Sequence, residues 1–323
     1  MRRNQAVEKL LDDSEAQQQC AYAANRATRQ AMHYRASQGL LMEPAQGIFA
    51  RKEFWEGLPA AAQVKHACKA LHKKHPSLCF TGPTAAVIYG FETPYRTMQQ
   101  PYVCVGYGRE YVSHGVRYIH SSSARAVTID GIKVASVEQT LIDSALVLEF
   151  PYALAIFDSA ARKGTNMLAV HRAAQRKRHP IEKVLQVLRY ADARSENGGE
   201  SVARGTIISL GFMVPLTQVE FYDAETGKIY RVDFLWCLPN GELIAGEFDG
   251  SQKYQDPKML GSRTLQEKVA EERARDAALA RCGITRVIHF TPSDVRRVAP
   301  IKQKLEQGGI PLASEVNRFA LQR

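Results

Sequence analysis

The stretch "RVDFLWCLPNGELIAGEFDGSQKY", from Arg231 to Tyr254, constrains the fold more than any other part of the chain. Two apolar runs flank Pro239-Asn240-Gly241 and read as a β-hairpin. Yet Asp233, Glu247 and Asp249 stand at positions that strands seldom give to carboxylates. Two carboxylates about 4 Å apart repel by roughly 4 kcal/mol at an effective dielectric near 20. Gathering three calls for a compensating charge. A divalent cation supplies it, and Mg²⁺ takes a few carboxylates together with water and phosphate oxygens. Parity decides whether the acids share a face. A two-residue Asn240-Gly241 turn sets Asp233 opposite Phe248 and sends Glu247 to the other side. A three-residue Pro239-Asn240-Gly241 loop, or one β-bulge, sets Asp233 opposite Glu247. The metal reading therefore predicts a three-residue or irregular hairpin. The alternative, ordinary solvent-face acids, is compatible with either register.

A chain of 323 residues has room for about two domains, or three. Apolar residues make up 45% and charged residues 24%, enough to bury a core without disulfide staples. The net charge of +10 favours a polyanionic partner, of which nucleic acid is the commonest. A basic protein without such a partner is the alternative. Cys20, Cys68, Cys79, Cys104, Cys237 and Cys282 form no CxxC and no zinc spacing, so they read as reduced thiols in the cytoplasm. The charged start "MRRNQAVEKLLDD" is no signal peptide, and no apolar run is long enough to span a membrane. A cytoplasmic protein without a membrane partner is expected.

Along the chain, residues from about Asn4 to Leu41 read as helices, followed by two short extended runs around Glu43-Pro44-Ala45-Gln46-Gly47. Helix, helix, small hairpin is the order of a winged helix-turn-helix, with Arg26, Arg29 and Arg35 on the helix that would enter the major groove. A generic helical cap is the alternative. Residues 57–190 read as a small α/β module, in which Asp130-Gly131 makes a hairpin turn. His66, Cys68, His72 and His75 match no standard metal spacing and read as a basic helix face. Arg172, Arg176, Lys177 and Arg178 either track phosphates or form a solvated face. The polar run "ADARSENGGE" marks a boundary. After it come a helix, a three-strand meander, a long charged helix and a fourth strand, the plan of an α/β sandwich. The expected fold is thus α+β and multidomain, with segments 1–56, 57–190 and 191–323.

The stretches "GGESVARGTIISLGF", "RVDFLW", "GEFDGSQKY" and "QEKVAEERARDAALARCGITRVIHFT" resemble, in order, the PD-(D/E)xK nuclease superfamily, in the branch of the very-short-patch repair endonucleases. They span residues from about 195 to 292. The resemblance implies an α/β sandwich with a mixed sheet. It also implies Mg²⁺ or Mn²⁺ as cofactor, with Glu200 as the helix acid and Asp233 and Glu247 as strand acids holding the metal. The lysine usual two residues after the second acid is Asp249 here; Lys253 and Lys268 are the substitutes the sequence offers. The whole chain also resembles the AbiEi-type antitoxins of bacterial type IV toxin–antitoxin systems. The matching stretches are "FTGPTAAVIYGF", "DGIKVASVEQTLIDSAL" and, more weakly, "ATRQAMHYRASQGLLMEPAQGIFAR". That likeness implies DNA binding, with its own operator or a cognate toxin as partner.

Two functions follow as expectations. One is a metal-dependent DNA endonuclease that uses Asp233, Glu247 and Glu200 as ligands, with Asp249 in the site and Lys253 stabilising charge. The other is an antitoxin-like transcriptional regulator with an inactive nuclease fold. A structural acidic patch is the third and plainest reading.

Overall fold

Helix starts follow from side-chain caps. Asn4, Asn25, Ser136, Asn166 and Asn197 each precede a helix and accept an amide of its first turn with a side-chain oxygen. The computed structural model describes residues 4–107, 109–121, 125–176, 180–249 and 265–315. In chain order the elements begin with α1 (Gln5–Ala16), α2 (Arg26–Ser37), β1 (Leu41–Ala45), β2 (Ile48–Arg51), α3 (Lys52–Gly57), α4 (Ala60–Lys74) and α5 (Gly82–Ile88). There follow β3 (Tyr102–Val105), β4 (Tyr111–Ser113), β5 (Val116–His120), β6 (Val127–Ile129), β7 (Ile132–Val134), α6 (Val137–Val147), α7 (Phe150–Arg162), α8 (Met167–Gln175) and α9 (Glu182–Tyr190). The last are α10 (Gly198–Ser209), β8 (Leu216–Asp223), β9 (Lys228–Cys237), β10 (Leu243–Phe248), α11 (Leu265–Arg281), β11 (Ile284–Phe290), α12 (Pro292–Arg297) and α13 (Ala299–Gln307). Helices and several small sheets mix in the α+β manner, and among the described residues no helix is long and apolar enough to cross a membrane.

The chain divides into two compact units. One comprises Met1–Leu148 and Gly164–Arg189, the other Glu149–Lys163 and Tyr190–Arg323. This differs from the three segments expected at 1–56, 57–190 and 191–323, for two physical reasons. Cys20, Ala45, Ile48 and Ala50 share one buried cluster with Ala67, Leu71, Phe80, Val103 and Val134, so the first two segments close over a common core. Helix α7 leaves the middle segment and packs on α10, where a Cβ on Gly205 would stand 2.6 Å from the Pro151 Cα. That close approach also buries an ion pair, Asp158 with Arg204, at 2.8 Å.

Within the first unit, α1, α2 and the β1–β2 hairpin enclose Val7, Leu11, Met32, Leu41 and Phe49. Arg51 clamps α1 by reaching Glu8, Asp12 and Glu15 at 2.7–3.0 Å. Asp130 and Gly131, both at positive φ, make the tight turn between β6 and β7.

The second unit is built on a sheet of order β11-β10-β9-β8. Its β8–β9 and β9–β10 pairs are antiparallel and β10–β11 is parallel, so the sheet is mixed. From Phe234 onward, alternate residues of the sheet face two cores. Phe234, Trp236, Ile244 and Phe290 join Ala203 and Ile207 of α10, whereas Leu235, Ala245 and Ile284 join Leu279 of α11.

Candidate functional site

The β9–β10 hairpin turns through Pro239-Asn240-Gly241. The Leu238 amide donates to the Glu242 carbonyl and the Gly241 amide to the Leu238 carbonyl, each at 2.9 Å. Gly241 takes φ +89°, the left-handed position of a three-residue loop that glycine adopts without a Cβ clash. Cys237 then pairs with Leu243, Trp236 with Ile244, Leu235 with Ala245 and Phe234 with Gly246. The next position in this register sets Asp233 across from Glu247. There the ladder gives way, because the Phe248 amide donates at 2.8 Å to Asp233 Oδ2, a carboxylate in place of a strand carbonyl.

The same register continues to both edges. Thr217 pairs with Phe234 and Val219 with Val232, so Gln218 of β8 falls opposite Asp233. Glu247 pairs with His289 of β11. Gln218, Asp233, Glu247 and His289 therefore form one row across four strands. Gln218 holds a φ of +52°, a strained value for a residue with a Cβ. Its Nε2 donates to Asp233 Oδ1 at 3.1 Å and to Glu200 Oε2 at 3.0 Å.

Glu200 arrives at the row from the first turn of α10. Its carboxylate accepts the Glu196 amide at 2.9 Å and Asn197 Nδ2 at 2.5 Å. A Cβ on the preceding Gly199 would meet the Phe248 ring at 2.6 Å, so glycine lets the helix start this close to β10. Burial, and then the charge of Asp233, push the Glu200 carboxyl up to about 7. Burial also raises Glu247, where Arg275 opposes the shift and Asp233 adds to it. Glu200 and Glu247 each feel the charge of Asp233.

Cationic groups stand around them. Arg275 Nη2, from α11, donates to Glu247 Oε1 at 2.5 Å and to the Arg231 carbonyl at 2.6 Å. Asp249 lies just past β10, with its Oδ2 at 3.1 Å from His289 Nδ1. Arg231 itself pairs with Glu196. Among the described residues no group of three or more His, Cys, Asp or Glu side chains is set to hold a metal ion by itself. The oxygens available are those of Glu200, Asp233 and Glu247, together with Gln218 Oε1, a buried atom without a hydrogen-bond partner.

Lys253 lies outside the described residues, as do Lys177, Arg178 and the side chain of Lys268. Arg26 and Arg29 are exposed on α2, and Arg176 is exposed after α8. Arg35 requires a correction. It is 8% exposed, lying on the buried side of α2 with Met32, and its Nη1 donates to the Ala31 carbonyl at 3.2 Å. It does not belong to an exposed phosphate-contacting set.

No family model matches the sequence. The chain is similar to two Mycobacterium tuberculosis proteins, "Uncharacterized protein Rv2248" of strain ATCC 25618 / H37Rv and "Uncharacterized protein MT2308" of strain CDC 1551 / Oshkosh. Each is 28% identical over 251 residues, which cover 76% of this chain and 87% of the relative.

Sequence reasoning missed Gln218, Arg275 and His289. Arg275 carried a signal, since it precedes buried Leu279 by one helical turn and so lies on the same face of α11. His289 alternates with Ile288 and Phe290, which face the α10 core, and so shares the opposite side with Val287. Gln218 gave no signal beyond being polar inside a strand.

Proposed function

We propose that the second unit is a nuclease-like domain of the PD-(D/E)xK type, related to the very-short-patch repair endonucleases, which hydrolyses DNA phosphodiester bonds with Mg²⁺ or Mn²⁺. The first unit brings it to DNA through a winged helix-turn-helix. The observation that carries this reading is the three-residue hairpin, which sets Asp233 across from Glu247 with Glu200 one amide away. Three acids drawn together in this way stabilise nothing by themselves.

Two carboxylates on neighbouring strands, Asp233 and Glu247, and the unpartnered amide oxygen of Gln218 are hard donors of the kind a divalent cation takes, with water and phosphate oxygens completing the shell. Asp233 and Glu247 would hold the ion, with Glu200 and Gln218 behind them. When bound, such an ion supplies an activated water and polarises the phosphoryl group. Arg275 balances the charge of Glu247 and keeps one of its oxygens in place.

Supercoiled and linear DNA incubated with Mg²⁺, Mn²⁺ or EDTA test the reading. Metal-dependent nicking that Glu247→Gln abolishes supports it. Intact DNA under every condition, with a well-folded protein, overturns it.

A second reading has its own support in the first unit. Exposed Arg26 and Arg29 on α2, with Lys74 at the β1–β2 turn where its Nζ donates to the Gln46 carbonyl at 2.8 Å, present positive charge on a helix and a hairpin. An antitoxin-like regulator that binds its own operator, or a cognate toxin, would use that surface. Binding without cleavage, equal in Glu247→Gln and weakened by Arg26→Ala and Arg29→Ala, favours the regulator.

A further inference from the structure

Cys79 and Cys104 are distant in sequence and opposite one another in the first unit. Phe80 and Val103 form an antiparallel bridge. The Thr81 amide donates to the Tyr102 carbonyl at 3.0 Å, and the Cys104 amide to the Cys79 carbonyl at 2.8 Å. These bonds flank the bridge, so Cys79 and Cys104 occupy a hydrogen-bonded position of an antiparallel pair, where Cα atoms stand about 5.5 Å apart. A disulfide spans roughly 4.4–6.8 Å between Cα atoms. This pair can close without moving a strand.

Alternation fixes which way the side chains point. Phe80 and Val103 turn into the buried cluster with Ile132 and Val134. Their neighbours Cys79, Thr81 and Cys104 take the other side. Cys104 pairs with Ile119 of β5, which puts Ser121 on that side too. The Thr81 and Ser121 hydroxyls both donate to Asp143 Oδ2 at 2.5 Å, and Gln139 Nε2 donates to Oδ1 at 2.6 Å. Each hydroxyl has one proton, and the carboxylate takes it. The two thiols are left to each other. The hydrogen bond from the Cys79 thiol holds Cys104 below the usual thiol range, against burial and the charge of Asp143, and raises Cys79 above that range.

Access is unequal as well. Cys79 is buried, whereas Cys104 is partly exposed. One sulfur is thus suited to attack and the other to resolve. Cys20 and Cys68 lack this asymmetry, since both are buried and burial pushes both thiols up.

We propose that Cys79 and Cys104 are a modification site for hydrogen peroxide, which oxidises them to a cross-strand disulfide. The Cys104 sulfur attacks one peroxide oxygen, the O–O bond breaks, and the departing hydroxide takes the thiol's proton and leaves as water. Cys104 becomes a sulfenic acid. The Cys79 sulfur then attacks the Cys104 sulfur, the S–O bond breaks, and hydroxide leaves as water with the Cys79 proton. The two thiols lose two electrons in all, and peroxide gains them. A dithiol reductant returns both thiols by exchange. The bond encloses α5 in a covalent loop and so restricts the unfolded chain. All of these residues belong to the first unit, and the site is independent of how the second unit is read.

The test uses the full-length protein, reduced, treated with hydrogen peroxide and then mapped by peptide mass spectrometry without reductant. The expected product joins Cys79 to Cys104 and reverts with dithiothreitol. In Cys79→Ser the resolving sulfur is gone, so dimedone should trap a sulfenic acid on Cys104, about tenfold faster than on exposed Cys237. Oxidised wild type is expected to melt about 5 °C above the reduced protein, and Cys104→Ser to show no such rise. Peroxide that oxidises Cys237 while Cys79 and Cys104 stay reduced overturns the proposal. So does a disulfide that joins other cysteines instead, or trapping at Cys104 no faster than at Cys237. A Cys79–Cys104 bond that forms only with loss of circular dichroism also overturns it, because the register needs no strand to move. The wild-type peptide map decides even where a variant fails to fold.

Discussion

Gln218 carries the local tension of the site. Its left-handed backbone costs on the order of 1 kcal/mol, and its amide is what separates Glu200 from Asp233. Replacing it with glycine relieves the backbone and removes two hydrogen bonds to carboxylates, each worth roughly 1.5–3 kcal/mol. Gln218→Gly is therefore expected to destabilise the metal-free protein by about 2–5 kcal/mol in urea denaturation; a gain in stability would mean the bridge is weaker than the strain. Glu200 makes a pH-dependent prediction. Its carboxyl titrates near 7 in the folded protein against 4.5 in the open chain. Between those values the folded state holds a proton that the unfolded state has released, so stability falls as pH rises through this window and levels off above it. Glu200→Gln should remove that part of the slope, on the order of a few kcal/mol, when denaturation in EDTA is compared at pH 5 and pH 8. Equal slopes in the two proteins would place the proton elsewhere.

At the scale of elements, the hairpin was the most legible part of the sequence. Pro239-Asn240-Gly241 and Asp130-Gly131 are local turn chemistry, and parity then tied a loop length to the facing of Asp233 and Glu247. The partners of those acids were not legible. Arg275 meets Glu247 across 28 residues of sequence, and His289 meets Asp249 across 40, so only the packing of α11 and the parallel pairing of β11 bring them in. Arg35 failed for a different reason. An arginine stem is apolar enough to lie on the buried side of a helix, so a basic letter among helical positions does not by itself mean an exposed charge. Close helix packing leaves its own mark at Gly205, with Pro151 against it. Gly205→Ala is expected to lower stability by about 1–3 kcal/mol through overpacking, measured as a shift in denaturation midpoint. An unchanged midpoint would show that α7 and α10 can part without cost.

At the scale of the molecule, the mixed α+β character was readable from the order of helices and strands. The division into units was not. Three segments in sequence suggested three domains, but a core belongs to whichever side chains meet, and Phe80 and Val134 meet Cys20 and Ile48 while α7 meets α10. The likeness to the two mycobacterial proteins extends over 76% of the chain, which is more than either unit alone comprises.

Helix α7 gives the chain a looped itinerary: out of one body, through another, home again and out once more. No single cut can therefore excise the C-terminal body whole. A fragment beginning at Tyr190 would leave Arg204, 4% exposed in the intact protein, facing a vacancy where Asp158 belongs, and stranding one member of a buried pair costs about 3–5 kcal/mol. Such a fragment is expected to aggregate or stay partly unfolded by circular dichroism, and a synthetic peptide of residues 149–163 supplied separately should restore order. During synthesis, this helix emerges before α10, the element it packs on, and has to wait for it.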